Sequence, residues 1–265
     1  GNDDIKLGTL TFNCALNAIA LLNKPDAMDR ATEILRRMIN YSSSVHGSEI
    51  DVDERTSIRP STATYNIILK ILSRSPSQDA AENADVLLEE MEEREDLSPD
   101  AVSYLTTILA WGRSEDERKF DRVNEIIHRF VARSSRGFSP ATGKGQSAIA
   151  VFNTALSVCN HNLNPDLVKP SISTAIFVLN ALATVDGLQP DETTYTSFFR
   201  LVGRVDCDEE DYRDSDLETR IDTEFSACIN NGFVSREILE QVHRGSKKVW
   251  QEHFHLDDDP SSVSI

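Results

Sequence analysis

Cysteine is sparse, and no cysteine is spaced to work with another. Cys14, Cys159, Cys207 and Cys228 lie far apart with no CxxC, which excludes the usual zinc spacings and a disulfide framework and fits a reducing compartment. Where they fall inside helical patterns they read as small buried thiols. Long apolar runs are missing too. No stretch reaches the roughly 18–20 residues that a membrane span needs, and the N-terminus Gly-Asn-Asp-Asp-Ile is neither a secretory signal nor a basic transit sequence, so the chain reads as soluble. It starts at Gly1 rather than Met, which fits a longer precursor trimmed of its address. Positive charge is short: 27 Lys and Arg stand against 44 Asp and Glu, a net charge of −17, which at first sight disfavours a nonspecific DNA or membrane binder. No β-alternating segment or hairpin turn is present, so the fold should be all-α.

The signatures of catalysis are equally thin. There is no nucleophile elbow and no HExxH. Gly137 to Gly143-Lys144-Gly145 mimics a phosphate loop, but five residues intervene where four are needed, and Gly145 stands where Ser or Thr should bind Mg²⁺. It reads as a flexible linker. Asp206, Asp208, Glu209, Glu210 and Asp211 lack the glycine and the spacing of an EF-hand loop and read as a solvated acidic loop. His253 and His255 flank Phe254 with no third ligand at zinc spacing. The expectation is a protein that is not an enzyme, with no catalytic residue, no metal, no cofactor and no small-molecule substrate.

What the sequence does hold is internal repetition. Of its 265 residues 39% are hydrophobic and 27% charged, enough for a core in one elongated domain or two compact ones. Five segments share a small or polar residue, an aromatic, a polar residue and then an apolar run: Leu10-Thr11-Phe12-Asn13, Ala63-Thr64-Tyr65-Asn66, Val102-Ser103-Tyr104-Leu105, Ala150-Val151-Phe152-Asn153 and Thr193-Thr194-Tyr195-Thr196. Each opens a short helix that should be largely buried. Each is followed by an amphipathic second helix: Met28 to Ile39, Ala80 to Arg94, Phe120 to Ala132, Ser171 to Val185 and Leu217 to Ile229. Three linkers place a proline and a cap before the next first helix, in Arg59-Pro60-Ser61, Ser98-Pro99-Asp100 and Gln189-Pro190-Asp191. Helix pairs of this kind cannot bury their faces alone, and stacking them into a right-handed α-solenoid supplies a continuous core.

Acid is concentrated. Residues 79–96 carry a net −8 and residues 206–218 a net −7, so the remainder is almost neutral. The first helices instead carry Lys24, Lys70, Arg74, Arg113, Arg200 and Arg204 in or at their ends, against the single acid Glu192. Nine residues after each aromatic stand Leu21, Arg74, Arg113, His161 and Arg204. This register suits a stripe that contacts phosphates, and equally suits cations that offset helix C-termini.

The stretch Ala63-Thr64-Tyr65-Asn66-Ile67-Ile68-Leu69, then Ala84-Asp85-Val86-Leu87-Leu88-Glu89-Glu90-Met91, then Leu97-Ser98-Pro99-Asp100 closely resembles one complete pentatricopeptide repeat. The resemblance runs from about Thr9 to Gly232 and is weakest in the fourth unit. The spacings of 53, 39, 48 and 43 residues between Asn13, Asn66, Leu105, Asn153 and Thr196 exceed the family's unit of roughly 35. The extra length falls in linkers such as Tyr41 to Ile58 and Ser134 to Ser147. By organisation this implies a tail over residues 1–8, about five enlarged repeats over 9–232, one capping helix over 233–256, formed by Val234 to Val249, and a disordered tail over 257–265.

The resemblance implies a non-catalytic single-stranded RNA-binding adaptor in a mitochondrion or plastid, acting in RNA processing, stability or translation. In the family, bases are selected by the polar residue after the aromatic together with the residue preceding the next repeat. Here those pairs are Asn13 with Ser61, leaning to cytosine, and Asn66 with Asp100 and Asn153 with Asp191, leaning to uracil. Leu105 leaves a blank, and Thr196 with Ser235 is ambiguous. Phosphates would meet Lys70, Arg74, Arg113, His161, Arg200 and Arg204. The five aromatics read as packing between repeats, and Leu10, Ala63, Val102, Ala150 and Thr193 match the position that sandwiches a base. The other reading is a scaffold whose acidic helix, Asp79 to Asp96, docks a basic protein. A fragment of a longer, enzymatic chain stays open beside both.

Overall fold

A computed structural model describes residues 8–22, 24–44, 58–134, 148–161, 165–205, 215–254, 260, 261 and 263. Among them are twelve α-helices and no strand. The helices are α1 (Thr9–Leu22), α2 (Ala27–Ser44), α3 (Thr62–Leu72), α4 (Ala80–Glu93), α5 (Ala101–Arg113), α6 (Lys119–Ser134), α7 (Ile149–Cys159), α8 (Val168–Ala183), α9 (Glu192–Val202), α10 (Ser215–Asn230), α11 (Arg236–Gly245) and α12 (Lys247–His253). A 3₁₀ turn, Pro165–Leu167, leads into α8. All five aromatic segments open a helix, and three of the five amphipathic segments lie within one, while Ala80 to Arg94 and Ser171 to Val185 run one and two residues past the ends of α4 and α8. The phosphate-loop mimic, the Asp206–Asp211 cluster, Cys207, His255 and most of the two long linkers fall outside the described residues.

The described chain forms two compact units, residues 8–119 and residues 120–134 with 148–263. Helices pack in sequence within each. In the first unit α1 meets α2 and α3, while α3 meets α4 and α5. Leu16, Ile19 and Ala20 of α1 are buried with Ala27 and Ala31 of α2 and Ile67 and Ile71 of α3. In α4 the buried Ala84, Leu88 and Met91 recur at i, i+4 and i+7, the spacing that lines one face of a helix. Asp85 is buried on that helix as well, so the acidic helix does not turn every carboxylate outward.

In the second unit α7 meets α8 and α9, and α9 meets α11. Aromatic edges fill the space between helices: Phe130 meets Phe152 with centroids 5.8 Å apart, and Phe199 meets Phe225 at 5.7 Å, both near-perpendicular. That geometry suits ring quadrupoles better than a face-to-face stack. Two residues past the end of α10 stands Gly232, whose φ of 72° lies in the left-handed region. There the Phe233 N–H reaches back to the Cys228 carbonyl at 3.0 Å, the pattern of a glycine-terminated helix. Burial pushes the Cys228 thiol up to about 12.

The single capping helix expected over residues 233–256 is two helices, α11 and α12. Ser246 separates them in an extended conformation, its N–H held by the Val242 carbonyl at 2.9 Å and its Oγ accepting from the Val249 N–H at 3.3 Å. The reason is tertiary. Gly245 lies against the backbone of Val202, and the chain turns where α11 meets the end of α9.

Candidate nucleic-acid interface

Proline stops a helix and an oxygen-bearing side chain satisfies the first free N–H groups of the next. Asp100 and Asp191 do this directly, accepting from the backbone N–H of Ser103 at 3.1 Å and of Thr194 at 2.9 Å. In return the hydroxyls of Ser103 and Thr194 accept from the N–H of Asp100 and Asp191, both at 3.1 Å. At α3 the Ser61 N–H donates to Thr64 Oγ1 at 3.1 Å. Local capping therefore accounts for why each carboxylate stands where it does.

The same groups also bind the neighbouring first helix. Asn66 Nδ2 donates to Asp100 Oδ1 at 3.0 Å, and Ser103 Oγ donates to Asn66 Oδ1 at 2.6 Å. The junction of α7 and α9 repeats this. Asn153 Nδ2 lies 3.0 and 3.2 Å from the two oxygens of Asp191, and Thr194 Oγ1 donates to Asn153 Oδ1 at 2.7 Å. At the α1–α3 junction Thr64 Oγ1 donates to Asn13 Oδ1 at 2.8 Å. Two of the three expected pairs are thus in direct contact, while Asn13 is engaged by Thr64 rather than by Ser61.

The hydroxyls of Thr64, Ser103 and Thr194 are the residues that the sequence reasoning did not single out. Their signal was present: a Thr or Ser stands immediately before the aromatic in four of the five segments, with Val151 the exception. The α7 start, where Val151 stands, carries no side-chain cap. Thr196 is half-buried and forms no hydrogen bond with Ser235 among the described residues; Ser235 caps α11. Leu105 is half-buried, as a position with no polar task.

Tyr65, Tyr104, Phe152 and Tyr195 are fully enclosed, so none offers a face for a base. Their hydroxyls are used internally: Tyr65 donates to Glu90 at 3.1 Å, Tyr104 to Glu92 at 2.7 Å, and Tyr195 accepts from Asn231 at 3.1 Å. Burial, followed by the nearby Glu90 charge, pushes Tyr65 up to about 12. Much of the acidic helix is occupied in the same way. Arg94 pairs with Asp96 at 2.8 Å and holds its carboxyl below the usual range, and Arg118 reaches Glu82 at 2.6 Å.

The expected phosphate contacts divide. Arg74 Nη1 donates to the Ala20 carbonyl of α1 at 3.4 Å, and Arg113 Nη1 donates to the Ser73 carbonyl after α3. Ala20 and Ser73 occupy the same place, eight residues after their aromatics. Each arginine therefore satisfies the carbonyl end of the preceding first helix while its side chain remains exposed. Arg200 is ion-paired with Glu237 at 2.6 Å. Lys70 is half-buried, and Arg204 and His161 are exposed; the Arg204 side chain has no partner among the described residues.

No family model, curated protein or solved structure matches the chain. The site is therefore read from its own chemistry. Among the described residues no group of three His, Cys, Asp or Glu side chains could hold a metal ion, and no helix is long and apolar enough to cross a membrane.

The division among the arginines gives an expected result. Arg113→Ala should cost about 1 kcal/mol of stability, the net worth of one hydrogen bond, whereas Arg204→Ala should stay within about 0.5 kcal/mol of the parent. Urea unfolding followed by circular dichroism separates them. Equal losses would mean that the Ser73 carbonyl is satisfied without Arg113.

Proposed function

We propose that the chain is a right-handed α-solenoid of pentatricopeptide type and acts as a non-catalytic, single-stranded RNA-binding adaptor in organellar RNA processing, stability or translation. The observation that carries this reading is the recurring Asn–Asp contact, with its hydroxyl donor, at one junction in each unit. An Asn amide has two N–H groups and a carboxylate about four lone pairs. With one N–H committed to the Asp, each pair keeps a free N–H beside a carboxylate oxygen, on side chains that are only half-buried. That is the complement of a base edge offering a carbonyl oxygen and a ring N–H, as uracil does. Bases splayed from single-stranded RNA expose this edge, whereas a duplex hides it.

The residues two positions before the aromatics support the reading. Ala63 and Thr193 are exposed and Val102 and Ala150 half-buried, beside the pairs rather than in the core. Arg74, Arg113 and Arg204 leave exposed guanidinium groups for phosphates. With so few cations, affinity should be modest and fall with salt.

Fluorescence anisotropy with short uridine-rich and purine-rich RNAs, at low and moderate salt, tests the proposal. Uridine-selective binding is expected, weakened about tenfold by each of Asn66→Ala and Asn153→Ala, the effect of losing roughly 1.4 kcal/mol. Absence of binding at low salt would overturn it and turn attention to a basic protein partner for α4.

A further inference from the structure

An Asn amide carries a carbonyl oxygen at one end and an NH2 at the other, alike in shape, so what it offers a base depends on how each end is held. At the α7–α9 junction Asp191 holds the nitrogen end of Asn153 and Thr194 the oxygen end. Thr194 has one hydroxyl proton and two acceptors in reach, Asn153 Oδ1 at 2.7 Å and Asp191 Oδ1 at 2.9 Å. Asp191 Oδ1 already accepts from the Asn153 amide and from the Thr194 N–H, whereas Thr194 is the only donor that Asn153 Oδ1 meets among the described residues. The proton therefore goes to the Asn. At the α3–α5 junction Ser103 Oγ lies 2.6 Å from Asn66 Oδ1 and 3.2 Å from Asp100 Oδ1, the same preference. Ser103 and Thr194 are both fully buried, so water does not stand in for either hydroxyl.

Capping alone does not account for these hydroxyls. Each stands three residues after the N-cap of its helix, and along the chain it goes with the Asn of the preceding first helix. Asn13, Asn66 and Asn153 are followed by Thr64, Ser103 and Thr194 at that place, whereas Leu105 and Thr196 are followed by Val151 and Ile238. Helix α11 is capped without one, since Ser235 Oγ accepts from the Ile238 N–H at 3.3 Å. The contact also forms where no carboxylate takes part: Thr64 reaches Asn13 Oδ1 at 2.8 Å with Ser61 at the cap. An amide held at its nitrogen alone can swivel about that hydrogen bond. Held at both ends, its plane is fixed.

We infer, resting on the proposed reading of these pairs as base contacts, that Ser103 and Thr194 are positioning residues for base selection. Each donates its hydroxyl proton to the Asn carbonyl oxygen, fixes the plane of the amide and so sets the direction of the N–H left for a base. Neither touches the base itself.

Two measurements on the full chain test this, one of them without RNA. The side-chain amide of Asn153, recognised in ¹⁵N–¹H NMR spectra by its loss in Asn153→Ala, should exchange its protons with water about fivefold faster in Thr194→Val and return to the parent behaviour in Thr194→Ser. In fluorescence anisotropy the preference for uridine-rich over purine-rich RNA should fall about fivefold in Thr194→Val and be restored in Thr194→Ser. Ser246→Ala, which removes the cap of α12, should lower the melting temperature and move neither readout. Ser103→Ala repeats both measurements at Asn66, so a Thr194→Val protein that does not fold leaves the test intact. Unchanged amide exchange in the hydroxyl-free variants would overturn the proposal whether or not RNA binds. Faster exchange with an unchanged base preference would overturn it too, confining the hydroxyls to stability. A parent that binds no RNA would overturn the RNA reading, and with it base selection as the purpose of an orientation that the amide spectra would still report.

Discussion

Alanine at Gly245 should cost about 3 kcal/mol of stability, against the usual preference for alanine inside a helix. A Cβ added there would lie 2.2 Å from the carbonyl oxygen of Val202 and 2.7 Å from its carbonyl carbon. Both contacts are to backbone, so no side chain can rotate out of the way. Helix propensity alone would favour the change by about 1 kcal/mol, but overpacking costs typically 1–3 kcal/mol and more where the backbone must move. Clash decides the sign. At roughly 2–4 °C per kcal/mol for a chain of this size, the melting temperature should fall by about 6–12 °C. Gly203→Ala meets mainly the side chain of Gln241, which can move, and should cost less. Gly232→Ala meets nothing within 4 Å but keeps a φ of 72°, so it should lose about 1 kcal/mol for left-handed strain. A Gly245→Ala variant melting with the parent would refute the close seating of α11 on α9.

Asn153→Asp should be the most damaging single-atom change in the candidate site, and its damage should depend on pH. The amide nitrogen lies 3.0 and 3.2 Å from the two oxygens of Asp191. Replacing it with oxygen removes the donor and sets two half-buried carboxylates face to face. Like charges at such a distance cannot both ionise cheaply, so one pKa of the pair rises above its unfolded value. A carboxyl whose folded pKa is raised favours the native state below the unfolded pKa, and that stability is lost as pH rises through the folded pKa. The variant should therefore be about 2–4 kcal/mol less stable than the parent at pH 7 and recover much of the deficit near about pH 4. Asn153→Ala, which takes the interhelical partner from Asp191 and Thr194 but leaves their mutual cap and adds no charge, should lose about 1–2 kcal/mol with little added pH dependence. Denaturant titrations of the three proteins at both pH values check this. A deficit for Asn153→Asp that does not change with pH would mean that the carboxylates separate.

The interhelical network also bears on the RNA measurement. The amides of Asn66 and Asn153 join helices, and in the proposed function the same amides would offer a spare N–H to a base. Loss of affinity on substitution therefore counts toward base readout only where the variant remains folded at the assay temperature, which a melting curve establishes.

Helices, caps and linkers were legible in the amino-acid sequence because each depends on residues within a turn or two. Pro60-Ser61, Pro99-Asp100 and Pro190-Asp191 announce a helix start through φ restriction and a side-chain acceptor, both local. Buried Tyr65, Tyr104 and Tyr195 follow from the apolar runs that they open. The Asn–Asp pairs came instead from a resemblance, since nothing in a period of 3.6 residues says that Asn66 meets Asp100. Tertiary structure alone decided three things: the Ser103 and Thr194 hydroxyls complete those pairs, Arg74 and Arg113 reach the ends of neighbouring helices, and the last helix breaks at Ser246. Each depends on a partner some tens of residues away. Hydrophobic periodicity tells a helix which side to bury, whereas only packing tells it what that side will meet.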